Sequence, residues 1–163
     1  GLVEQTVKFP LWVDPVANGG TPMTAALDAA RVLTEGFLAS HPDCFPPVVI
    51  NLTDGESTDG DPSGAAAAIS ALSSSDGNVL LFNAHVSSSG GTPVTFADSD
   101  AALPDQYAKL LFSMSSPLPS HMRTYASAQG IPVSEATRGF VYNAEPTAIV
   151  QFLDIGTRAT DLR

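Results

Sequence analysis

"VVINLTDGESTDGDP" (residues 48–62) places an apolar, β-branched run, interrupted only by Asn51, directly ahead of carboxylates, hydroxyls and glycines. Val48 to Leu52 reads as a strand covered on both faces, because parallel strands sandwiched between helices lose the apolar–polar alternation of half-exposed ones. The loop after it ends in Asp61-Pro62, a carboxylate cap followed by proline, and then Ala65, Ala68, Ile69 and Leu72 recur at helical spacing. A strand–loop–helix unit of this kind belongs to an open α/β sheet, in which ligands bind beyond the carboxyl ends of the strands. A buried strand that ends in carboxylates therefore marks the place to look for function.

The same alternation extends in both directions. Upstream, "TVKFPLWV" (6–13) reads as a strand that Pro10 confines to an edge or a strand end. "DPVANGGTP" breaks it, and Met23, Ala26, Leu27, Ala30, Leu33 and Phe37 then predict a helix from about Pro22 to Ser40, with Thr21 as candidate N-cap. "SHPDCFPP" ends that helix, since prolines and the residues before them resist helical geometry. Downstream, "NVLLFNAHV" (78–86) is a second buried strand, with a short strand expected between Pro93 and Phe96. Tyr107, Leu110, Leu111 and Met114 share a helical face, Met122 to Gln129 is helical, "GFVYNA" is a third strand and Pro146 to Ile155 an amphipathic helix. The expectation is a single domain over residues 1–163, an α/β fold with a doubly wound, mostly parallel sheet and helices on both faces. "VVINL" is expected in its interior.

Composition narrows the partners. The 163 residues are 44% hydrophobic and 15% charged, which suits one domain with a real core rather than a disordered chain. The 17 acidic side chains outnumber the 7 Lys and Arg, giving a net charge of -10 that repels a phosphate backbone and leaves divalent cations or basic protein surfaces as suitable partners. Cys44 is the one cysteine, so an intrachain disulfide is excluded and a free thiol in a reducing compartment is expected. No apolar run approaches the roughly 20 residues of a spanning helix, and "GLVEQTVKFP" lacks the basic start and apolar core of a signal peptide. A cytoplasmic protein with no membrane or nucleic-acid partner is the expectation.

Two residues stand out for binding chemistry. Thr21 and Asp54 fall in loops that lead into helices, and hard cations such as Mg2+ take hydroxyl, carboxylate and water oxygens. Each also has a purely structural reading, Thr21 as a helix cap and Asp54 as a turn former. Glu56, Asp59 and Asp61 could join Asp54 around a cation, but their spacing is not that of an EF-hand loop, and Asp61 is better read as a helix cap. His85 closes the second buried strand, where a hydrogen-bonded structural histidine is expected. "GESTDG" resembles a damaged Gly-x-Ser-x-Gly elbow, with Ser57 as nucleophile and His121 as a possible base. Asp59 stands there in place of the second glycine, where a small residue is needed and a negative charge opposes an oxyanion.

"GGTPMTAAL" (19–27) followed by "PPVVINLTDGEST" (46–58) resembles the later half of a von Willebrand factor type A domain of the bacterial intracellular kind. The resemblance implies a metal-ion-dependent adhesion site, in which a loop threonine, matched by Thr21, and the aspartate of a Thr-Asp-Gly turn, matched by Asp54, hold Mg2+, Mn2+ or Ca2+. A carboxylate of a partner protein would complete the coordination, so the implied role is a binding module rather than an enzyme. The family's Asp-x-Ser-x-Ser motif occurs nowhere in the 163 residues. The strand and helix that should bear it are expected to precede Gly1, making the chain a C-terminal fragment of the complete domain. Without that motif the resemblance would imply a scaffolding domain with an incomplete metal site; a serine hydrolase built on Ser57 is the remaining alternative.

The charge balance yields a first test. No salt-sensitive association with duplex DNA is expected at physiological ionic strength, because such binding needs a basic stripe to displace counterions; a gel-shift titration checks it, and tight binding at low salt that weakens steeply as salt is added would contradict it.

Overall fold

In the computed structural model, which describes residues 19–86 and 92–158, the run at the centre of the sequence argument is a strand, β1 (Val48–Thr53). Before it lies helix α1 (Met23–Ser40), and after it come helix α2 (Ser63–Ser70), a small hairpin of β2 (Ser73–Ser74) and β3 (Gly77–Asn78), and strand β4 (Leu80–His85). Strand β5 (Val94–Thr95), helices α3 (Gln106–Met114) and α4 (Ser120–Ala128), strand β6 (Phe140–Tyr142) and helix α5 (Pro146–Gly156) complete the described elements. The strand expected in "TVKFPLWV" lies outside the described residues.

The main sheet has the order β1-β4-β6-β5. β1 and β4 run parallel in a register that sets Val48 opposite Leu80 and Thr53 opposite His85, β6 runs parallel to β4, and β5 alone is antiparallel. Parallel neighbours need long crossovers, and the helices supply them. Side chains of α1, α2 and α3 gather over one face with Leu81 and Phe140, while Met122, Ala126, Phe152 and Ile155 from α4 and α5 gather over the other with Phe82 and Val141. The fold is thus mixed α/β, a mostly parallel four-stranded sheet between two helical layers.

β4, not β1, is the enclosed strand. Leu81, Phe82, Asn83 and Ala84 are all buried, whereas β1 is half-buried and its Leu52 is 59% exposed. Among the described residues β1 has a strand on one side only, so its apolar run fills a less covered position than its composition predicts. The buried stripe of α1 also differs from the predicted one. Met23, Leu27, Thr34 and Leu38 face the core, while Leu33 and Phe37 point outward and Phe37 stacks on His41. Both stripes satisfy helical spacing, and only the position of α2 and the sheet decides between them.

Phe82 leaves no room for a side chain at Gly139. A Cβ at Gly139 would lie 2.0 Å from the Phe82 ring, and one at Gly156 would lie 3.0 Å from it, so the ring of a central strand is seated against two glycine backbones. Gly139→Ala is therefore expected to destabilise the protein by about 1 to 3 kcal/mol, the usual range for overpacking a full core. Urea unfolding of the wild type and variant measures this, and an unchanged midpoint would refute it.

Candidate functional site

The carboxyl ends of β1 and β4 carry a concentration of polar side chains. β1 ends at Thr53, whose hydroxyl donates to the Gly55 carbonyl at 2.9 Å and closes a tight turn around Asp54. The Tyr107 hydroxyl, from α3, donates to the same carbonyl. The Asp54 carboxylate is exposed at the apex, and among the described residues no hydrogen bond or ion pair holds it. Beside the loop, residues Glu56, Ser57, Asp61, Tyr107 and Leu110 line a cleft of about 240 Å3.

The structure sets the Thr21 hydroxyl beside the turn that carries Asp54. A Cβ on Gly55 would lie 3.4 Å from the Thr21 hydroxyl oxygen, so that oxygen faces the residue next to Asp54. Thr21 does not cap α1 as the sequence suggested: the helix begins at Met23 behind Pro22, with no cap from its own flank. The cap comes instead from Asp59, which accepts from the Thr24 N–H at 3.0 Å and the Ala25 N–H at 2.9 Å. That substitution leaves the Thr21 hydroxyl available.

Two other acids of the loop, Asp59 and Asp61, are engaged elsewhere, while Glu56 is exposed beside the cleft. The Ala25 N–H foremost, together with the Thr24 N–H and the Ser57 hydroxyl, outweighs a partial loss of solvent and holds the Asp59 carboxyl down at about 2. Asp61 is the cap the sequence predicted, accepting from the Ser63 hydroxyl at 2.6 Å and the Ser63 N–H at 2.9 Å, and those bonds lower its pKa. Among the described residues no three His, Cys, Asp or Glu side chains gather closely enough to hold a cation. Thr21 and Asp54 offer oxygens of the right chemistry for a hard cation, but only two of the roughly six positions that an octahedral ion fills.

Ser57 and His121 do not form a catalytic pair. The Ser57 hydroxyl donates to Asp59 at 2.9 Å at the carboxyl end of the sheet. His121 lines a different pocket with Pro46 and Leu80, which lead into the amino ends of β1 and β4, and its Nε2 meets the Arg158 carbonyl at 3.0 Å. His85 also departs from expectation. The residue is 6% exposed, its ring stacked on Tyr142 at 4.5 Å and met edge-on by Tyr107 at 5.9 Å, yet among the described residues its buried Nδ1 has no hydrogen-bond partner. Sequence reasoning named Asp59 and Tyr107 but not the roles they take here, nor that of Tyr142. Their roles rest on partners 34 or more residues away, and no local pattern announces them.

Comparison of the chain with protein-family models, curated proteins and solved structures gives no match. No family is shown for the chain, and the resemblance to von Willebrand factor type A domains rests on the two sequence motifs alone.

Burial pushes the His85 pKa down from 6.5, against smaller opposing effects of Asp105 and then Asp54. The folded state thus takes up its proton at lower pH than the unfolded chain. The stability associated with neutral His85 is complete above the unfolded value and is lost as pH falls from about 6.5 through the folded value. In His85→Phe, which keeps an aromatic ring between Tyr107 and Tyr142, stability is expected to fall less steeply between pH 7 and 5 than in the wild type. Denaturant melts at stepped pH measure the slope, and identical slopes would contradict the assignment.

Proposed function

We propose that the protein is a metal-dependent protein-binding module of the von Willebrand factor A type, with Thr21 and Asp54 as ligands of a divalent cation, Mg2+ foremost. In this reading the sheet is the doubly wound sheet of that family. The remaining coordination positions would go to oxygens other than these two. One position is left for a carboxylate of the partner. A cation held partly by neutral hydroxyls keeps enough positive charge to attract that carboxylate.

The observation that carries the proposal is the placement of the Thr21 hydroxyl against Gly55, beside an exposed Asp54 that no donor among the described residues neutralises. Two further features support it. Thr21 is released from helix capping by Asp59, and the turn that presents Asp54 is fixed by the hydroxyls of Thr53 and Tyr107. A scaffolding role is the outcome if no cation binds.

Calorimetric titration of Mg2+ and Mn2+ into the full-length protein tests the reading. Asp54→Ala and Thr21→Ala are each expected to lower cation affinity at least about tenfold, in line with the loss of one ligand or of its support. Neither should shift the metal-free melt by more than a few degrees, since neither side chain packs into the core. Equal affinity in the wild type and both variants would sink the assignment.

A further inference from the structure

We infer that Asp59 is a positioning residue for this site: its carboxylate fastens the loop bearing Asp54 onto the first turn of α1 and so fixes the approach of Thr21 to Asp54. The inference rests on the cation-site reading for its consequence, while the clasp itself is a matter of geometry. Three ties join the same two segments. Asp59 takes the N–H groups of Thr24 and Ala25, the Thr58 N–H donates to the Thr21 carbonyl at 2.9 Å, and Gly20 lies so close that a Cβ there would fall 2.4 Å from the Thr58 hydroxyl.

Those ties bracket the candidate ligands. Thr21 sits between Gly20 and Thr24 on one side, and Asp54 lies on the same loop as Thr58 and Asp59 on the other. α1 has no cap from its own flank, so its first free N–H groups turn to the carboxylate that the neighbouring loop offers, where the helix dipole also favours a negative charge. Ser57 donates to the same carboxylate at 2.9 Å and holds it in place. The loop contains Gly55 and Gly60, the latter at φ +112, and glycine leaves its backbone many alternatives once the clasp is gone. Asp59 contacts neither Thr21 nor Asp54 by hydrogen bond; it acts by setting where their backbones lie.

The test pairs amide hydrogen exchange with Mn2+ titration on the full-length protein. In Asp59→Ala the Thr58 amide is expected to lose protection, although Asp59 makes no bond to it, and Mn2+ affinity to fall roughly 10- to 100-fold, as when an outer support of a metal ligand is removed. Asp59→Asn, which keeps the side-chain volume and one acceptor oxygen, should be intermediate in both and covers the case in which the alanine variant unfolds. Gly20→Ala, which presses a methyl group onto Thr58 while leaving Asp59 intact, should also weaken Mn2+ binding. Wild-type protection of Thr58 in Asp59→Asn and Asp59→Ala would overturn the clasp, and so would wild-type Mn2+ affinity with the Thr24 and Ala25 amides deprotected. If the wild type binds no Mn2+, the cation reading fails on its own, and the exchange of Thr58 alone then decides the clasp.

Discussion

Strand β4 is paired along both edges and covered on both faces, and that enclosure dictates how the rest of the chain is arranged. Its parallel pairing with β1 obliges the chain to return from the carboxyl end of one strand to the amino end of the other, and α2 makes the return over the face already occupied by α1 and α3. Its other face needs Phe82 to lie against glycine backbone at positions 139 and 156, which draws β6 and α5 in close. With both crossovers set in this way, the loops after β1 and β4 emerge at one end of the sheet. The site is a consequence of that packing, because neither Thr21 nor Asp54 belongs to a regular element.

Two polar residues on β4 show how differently the core treats its polar groups. Asn83 is fully buried and well partnered: its amide donates to the Leu111 carbonyl at 3.2 Å and the Ser115 hydroxyl at 2.9 Å, and its oxygen accepts from Asn51 at 2.9 Å. It therefore ties β1, β4 and the end of α3 into one register, and removing it would leave several buried groups unpaired. His85, two residues on and on the same face, keeps an unpaired nitrogen and is held by rings instead. The network ends where the candidate site begins.

The sequence made the elements legible because strands and helices announce themselves by local period and composition. β4, β6 and α5 lie close to the stretches that their apolar residues predicted, and the Thr-Pro loop and the Thr-Asp-Gly turn singled out by sequence lie side by side at the sheet end. What was not legible depends on distance along the chain. The cap of α1 sits 35 residues from Thr24 and the hydroxyl that fixes the Asp54 turn sits 52 residues from Gly55, so neither leaves a local trace. The stripe of α1 failed for a related reason: Leu33 and Phe37 are as well spaced as Thr34 and Leu38, and a buried threonine that returns its hydroxyl to the Ala30 carbonyl at 2.8 Å defeats a rule based on hydrophobicity. β1 reads as interior by composition, yet burial depends on neighbours that composition cannot supply.

The distribution of charge also bears on which oxygens could define a cation site. A surface with a net charge of -10 draws divalent ions toward it everywhere, so attraction by itself does not single out a place. Within the β1–α2 loop, Asp59 and Asp61 have their charge answered by backbone N–H groups and serine hydroxyls. Among the described residues Asp54 and Glu56 have no such answer, and of the two it is Asp54 whose turn faces the Thr21 hydroxyl. An exposed carboxylate on a mobile ion atmosphere is still not a site until a second oxygen fixes the ion relative to the protein. Thr21 can do that because it is neutral: it adds a ligand without adding another charge to repel the carboxylate of a partner. The loop that relieves Thr21 of helix capping is thus the same loop that presents Asp54, and in the proposed reading the selectivity of the site would lie in that economy of roles rather than in the number of acids nearby.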